Sequence, residues 1–136
     1  MKKNIAIITL LACSLGSSAF AASEKICFGS TVSPDTKGEI LTLKVEQNQV
    51  SFHVLKEVGY ASSLEDYGFQ PSKNPTLKGK DGKAYLSFSS VGAESESTTL
   101  LVDASLVNSN SEGLLKIRHE VEGEFGQLTY VCKDRK

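Results

Sequence analysis

From Glu24 to Cys132 apolar residues recur at nearly every second position, the period of strands that turn one face to a core. The clearest alternation is the last. Residues 113–121 and 124–132 are two such runs separated by Glu122-Gly123. A two-residue turn there uses a glycine for the positive φ such turns demand. It pairs Gly113 with Cys132, Leu115 with Tyr130, Ile117 with Leu128 and His119 with Gly126. Cross-strand partners share a face, so one face is largely apolar and the other carries Lys116, Arg118, Gln127 and Thr129. A slip of one residue would mix the two sets.

The same argument places strands at 39–46 and 49–57, joined by Gln47-Asn48, with Val45 facing Val50, Leu43 facing Phe52 and Leu41 facing Val54. Ile26-Cys27-Phe28 opens the first strand, and residues 33–38, Ser-Pro-Asp-Thr-Lys-Gly, form a turn cluster after it. Asp81-Gly82 predicts another hairpin, with Leu77 against Leu86, Gly79 against Ala84, and Phe88 continuing the apolar set. Residues 91–97 read as a polar loop, 98–107 as a sixth strand with Leu100, Val102, Ala104 and Leu106 on one face, and 108–113 as the loop before the closing hairpin.

Residues 58–75 interrupt this rhythm and are too long for a hairpin connection. Ser62 and Glu65 have capping-box spacing and Gly68 suits a helix end, which predicts a short helix at about 63–67 within a loop. About eight short strands with little helix predict an all-β fold. Two architectures fit: a small antiparallel up-and-down barrel, or a two-sheet sandwich. A disulfide between the first and last strands favours the barrel, because closure makes those strands neighbours.

The first 21 residues stand outside this pattern. Lys2 and Lys3, an apolar run over 5–12 and the small-x-small site Ala19-Phe20-Ala21 have the anatomy of a bacterial export signal. The apolar run is too short to cross a bilayer as a helix, and no other segment reads as transmembrane. Residues 22–136 are then a single domain, large enough for one core. Leu10-Leu11-Ala12-Cys13 also resembles a lipoprotein cleavage box, which would acylate Cys13; cleavage near Ala21 is preferred because the signal is complete without it.

Removal of the leader takes Cys13 and two lysines with it. Two cysteines remain for an oxidising periplasmic or extracellular compartment, so Cys27–Cys132 is the expected disulfide. The net charge moves from −1 to −3, 13 basic residues against 16 acidic, which argues against a general nucleic-acid binder.

Little in the chain points to a reaction. No G-x-S-x-G elbow is present, and a disulfide leaves no thiolate nucleophile. His53 and His119 are the only histidines, too few and too far apart for a zinc site, and no D-x-D-x-D-G calcium loop or phosphate-binding loop occurs. His119 falls on the core face, where a satisfied barrel histidine outweighs a catalytic base. No cofactor is implied.

Two features suit recognition. Tyr60, Tyr67 and Phe69 lie in the 58–75 segment, either as a contact surface or as a lid over the barrel end. Lys73, Lys78, Lys80 and Lys83 against Asp81 alone make the one locally basic region, suited to an anionic partner or simply to keeping strand edges soluble. The sequence therefore reads as an exported, monomeric binding protein without catalytic activity. Its contact residues are Tyr60, Tyr67, Phe69, Lys73 and Lys78, and its ligand is a protein or small molecule of the cell envelope, as for an inhibitor-like or ligand-carrying barrel. The alternative is an exported hydrolase whose site carries no recognisable motif.

Overall fold

Eight antiparallel strands hydrogen-bond into one continuous sheet that curls into a half-barrel in the computed structural model. The structure describes residues 23–30, 34–46, 49–59, 61–91, 96–108 and 111–135. The strands are β1 (Ser23–Gly29), β2 (Ile40–Glu46), β3 (Gln49–Lys56), β4 (Gln70–Lys78), β5 (Ala84–Val91), β6 (Ser97–Asp103), β7 (Gly113–Val121) and β8 (Glu124–Asp134). Two 3₁₀ turns, Pro34–Thr36 and Ala61–Leu64, and one helical turn, α1 (Ser105–Asn108), complete the described elements.

Their order across the sheet is β3-β2-β1-β8-β7-β6-β5-β4. Every pair of strands consecutive in sequence lies side by side except β3 and β4. β1 and β8 join mid-sheet, with Cys27 opposite Cys132 and a disulfide between them. This is up-and-down connectivity with its open seam moved away from the chain ends, to β3 and β4. A single sheet disposes of the sandwich alternative. The disulfide spans 105 residues of sequence, for which the chain-entropy model gives an upper figure of about 4–5 kcal/mol.

The two hairpins read from their apolar phase have the registers expected of them. In β7–β8 Gly113 faces Cys132, Leu115 faces Tyr130, Ile117 faces Leu128 and His119 faces Gly126. Glu122 and Gly123 turn with φ of 51° and 86°, the pair of positive values that a type I′ turn needs. In β2–β3 Leu41, Leu43 and Val45 face Val54, Phe52 and Val50. Together with Cys27, Phe88, Leu100, Val102 and Cys132, these side chains fill the concave side.

The β4–β5 hairpin departs from expectation by one residue. Leu77 faces Tyr85, Thr76 faces Leu86 and Lys78 faces Ala84. The turn is longer than Asp81-Gly82 alone: Gly79 N–H donates to Lys83 O at 2.8 Å, Gly82 N–H donates to Gly79 O at 3.0 Å, and Gly82 takes φ 83°. That is a type I turn followed by a bulge residue in the left-handed region, and the extra residue shifts the register. Leu77 consequently lies on the convex face, 43% exposed, and not in the core.

Three further expectations are corrected. Residues 70–75 are not loop; they belong to β4. The helix expected at 63–67 is a 3₁₀ turn over Ala61–Leu64: the Glu65 N–H donates to Ser62 O at 3.4 Å, while the Glu65 side chain reaches β3 and does not cap Ser62. The sixth strand stops at Asp103, whose Oδ1 accepts the Ser105 N–H at 3.0 Å and starts α1; Leu106 still enters the core from that turn.

Candidate partner-binding surface

The interruption in the sheet brings Tyr67 and Phe69 together and leads into the strand that carries Lys73 and Lys78. At the seam, Phe69 forms an isolated antiparallel bridge with Val50 of β3. The segment before it covers a further point of the β3 edge. Glu65 Oε2 accepts the outward N–H of Val54 at 2.9 Å and lies 3.1 Å from His53 Nδ1. Ala61, Leu64 and Phe69 insert beneath, all at most 1% exposed. The Phe69 ring lies 6.1 Å from Phe52 and 6.3 Å from Tyr67, so these aromatics form a continuous plug.

The three aromatic candidates therefore separate. Phe69 is core, and no partner reaches it in this arrangement. Tyr67 is half-buried at the rim and donates its hydroxyl to Glu96 at 2.9 Å. That bond to a carboxylate, with burial and the Glu96 charge behind it, raises the phenol pKa. Tyr60 lies outside the described residues.

β4 is different from every other strand. Eight of its nine residues are exposed, with Ser72 alone half-buried. Extending the Val50–Phe69 bridge by one antiparallel step sets Gln70 beside Gln49, the first residue of β3. Residues 71–78 therefore run past the end of β3. Among the described residues their ladder partner is β5, where Ser72 bonds the hydroxyls of Ser87 and Ser89.

The backbone of that free edge can be assigned. Gly79 and Lys83 form a hydrogen-bonded pair, and Ala84 turns its carbonyl away from β4 to accept the Ala104 N–H at 2.9 Å. Antiparallel ladders alternate bonded and non-bonded pairs. The pair Lys78–Ala84 is thus non-bonded, Leu77–Tyr85 is bonded, and Thr76–Leu86 is non-bonded. Thr76 and Lys78 consequently direct both N–H and C=O to the open side. A shallow depression lined by Thr76, Leu77, Lys78, Gly82 and Ala84 lies beside them.

Charge follows the same edge. Lys73, Lys78 and Lys80 are exposed and have no carboxylate within ion-pairing distance among the described residues. Asp81, the nearest acid in sequence, is already engaged. It accepts the Tyr85 hydroxyl at 2.7 Å and the Lys83 N–H at 3.0 Å, with Lys116 Nζ at 3.8 Å. The Tyr85 bond foremost, then the Lys83 amide, hold the Asp81 pKa below its ordinary value. Lys83 points instead toward buried Asp103, at 3.8 Å.

The histidines do not converge. His53 is exposed beside Glu65, whereas His119 Nδ1 lies 2.7 Å from Thr98 Oγ1. A hydroxyl beside an imidazole is the beginning of a nucleophile–base pair, but Thr98 is fully buried, so its oxygen is closed to a substrate. Among the described residues no three His, Cys, Asp or Glu side chains are grouped to hold a metal ion, and no helix is long and apolar enough to cross a membrane.

The β4 edge, without a ladder partner on its outer side among the described residues, is the candidate feature that sequence reasoning missed. Its signal was present: Pro71 and Pro75 with Lys73 and Lys78 in one short strand are the marks of an edge. No protein-family model matches the chain, and neither a curated protein nor a solved structure matches it.

Proposed function

We propose that this chain is an exported, non-enzymatic binding module of the periplasm or cell envelope, and that it holds a protein partner on the β4 side of the half-barrel. The observation that carries the reading is the projection of residues 71–78 beyond β3, exposed on both faces and carrying Lys73 and Lys78, which have no carboxylate partner among the described residues. Edge strands of this kind invite pairing, and loop-side aromatics such as Tyr67 add apolar area with little rotamer entropy to lose. The export signal read from residues 1–21 and the disulfide support the compartment. Two β4 edges placed together would oppose their lysines, which supports a monomer. Thr98 being closed to substrate weighs against the hydrolase reading.

Site-directed photocrosslinking tests the proposal. A photoreactive residue replaces Lys73 or Lys78 in turn, or Lys44 on the exposed side of β2 as a control, and the protein is exposed to envelope extract of its source. Discrete adducts from positions 73 and 78, and none from 44, support the β4 surface. Adducts from 44 alone, or from none of the three, overturn it.

A further inference from the structure

The β4 edge has enough detail to define the partner's backbone and charge. We propose that β4 binds an extended acidic segment as a ninth strand, by main-chain hydrogen bonds to Thr76 and Lys78. The inference rests on the binding-module reading and specifies what that module recognises.

The main-chain geometry comes first. Thr76 and Lys78 each present one donor and one acceptor outward, two residues apart. That spacing is about 6.8 Å along a strand, the interval at which an added strand offers its own outward groups. Between them Leu77 turns its backbone to Tyr85 and its side chain, 43% exposed, to the convex face. Pro75 lacks an N–H and marks the end at which regular pairing stops.

The other edge of the sheet is partly occupied. On β3, Val54 N–H is taken by Glu65 and Val50 is bridged to Phe69. Strand addition is thereby directed to β4.

Charge selects the occupant. Partners across a ladder share a face, so residues opposite Thr76 and Lys78 lie on the Lys78 side, and the residue opposite Leu77 lies beside its isobutyl group. Lys73, Lys78 and Lys80 lack carboxylate partners among the described residues, and Asp81 is held by Tyr85, Lys83 and Lys116. A segment alternating acidic and apolar residues satisfies both rows. A second copy of this chain would bring lysines against lysines.

The test uses the ¹⁵N-labelled protein and two blocked octapeptides, (Glu-Val)₄ and (Lys-Val)₄. With (Glu-Val)₄ the amides of Thr76 and Lys78 shift and become protected from hydrogen exchange, while the Leu77 amide, already bonded, changes least. (Lys-Val)₄ leaves all three unmoved. The double variant Lys73→Glu, Lys78→Glu exchanges the two preferences. Thr76→Pro removes one outward donor and no ladder bond, so the fold is retained and binding of (Glu-Val)₄ weakens about tenfold.

Indifference of the Thr76 and Lys78 amides to (Glu-Val)₄ overturns the inference, as does equal binding of both peptides. Self-association in sedimentation that Thr76→Pro abolishes would identify a second copy as the occupant and overturn it also. If crosslinks persist at positions 73 and 78 while the peptide fails, only strand addition falls. If both fail, the binding reading falls with it.

Discussion

Tyr130 donates its hydroxyl to Glu39 Oε1 at 2.5 Å, and neither residue is exposed at all. The other carboxylate oxygen of Glu39 faces the N–H groups of Val58 and Gly59, each at 3.4 Å. One carboxylate thus ties the last strand and the segment that leaves β3 to the start of β2. Burial makes these bonds consequential, because a polar group left alone in the core forfeits its hydration. Glu39→Ala is expected to cost about 2–4 kcal/mol, since it leaves the Tyr130 hydroxyl and two amides without their acceptor. Tyr130→Phe removes only one donor and is expected to cost about 1–2 kcal/mol. Urea unfolding of both variants checks the order.

The shifted β4–β5 register has a direct consequence for stability. Leu77 stands on the convex face and Leu86 packs against the core. Leu86→Ala is expected to destabilise by about 2–3 kcal/mol, as truncation of a packed leucine does. Leu77→Ala is expected to stay below about 1 kcal/mol. Equal losses in thermal unfolding would restore the register with Leu77 in the core.

The aromatic plug holds a core ring and a rim ring within one short segment. Phe69→Ala opens a hole between Phe52 and Tyr67 and is expected to cost about 3–5 kcal/mol. Tyr67→Phe keeps the ring and loses one rim hydrogen bond to Glu96, with an expected cost of about 1 kcal/mol or less. Melting curves of the pair distinguish a core phenylalanine from a rim tyrosine.

The Asp81–Tyr85 contact predicts a pH response at both ends of the scale. Desolvation first, then the bond to Asp81 and the charges of Asp81 and Asp103, push the Tyr85 phenol far above its usual value. A raised phenol contributes stability that is whole below its unfolded pKa of about 10 and is lost as pH climbs from there toward the folded value. Asp81, lowered, contributes stability present above its unfolded pKa of about 4 and lost as pH falls through the folded one. Tyr85→Phe is expected to flatten the alkaline fall in melting temperature and to weaken the acid one, because the phenol is the largest cause of the Asp81 shift. Melting curves from acid to alkaline pH, compared with the parent protein, read both limbs.

Alternation along the chain determined the all-β class, the β2–β3 and β7–β8 registers and the pairing of Cys27 with Cys132. Each is local or follows from counting: a two-residue turn between two apolar phases admits one register, and reading residues 1–21 as a leader sets Cys13 aside and leaves two cysteines, which admit one bridge. Tertiary structure alone decided where the barrel opens. Residues 70–75 carry two prolines and no buried side chain, so no apolar period marked them as a strand; the sheet makes them one by carrying β4 back to Gln70. The one-residue shift at Leu77 came from Gly82, which is the bulge residue after a type I turn and not the second residue of a two-residue turn. Glu65 looked like a helix cap because the spacing to Ser62 fits, yet the unpaired Val54 amide across the seam is the better-placed donor. Contacts of that kind join residues far apart in sequence, through a geometry that exists only once the sheet has curled. The two ends of the sheet at β3 and β4 are the product of that curling, and so is the contrast between β3, where Glu65 and Phe69 contact the edge, and β4, where Thr76 and Lys78 have no outer ladder partner among the described residues.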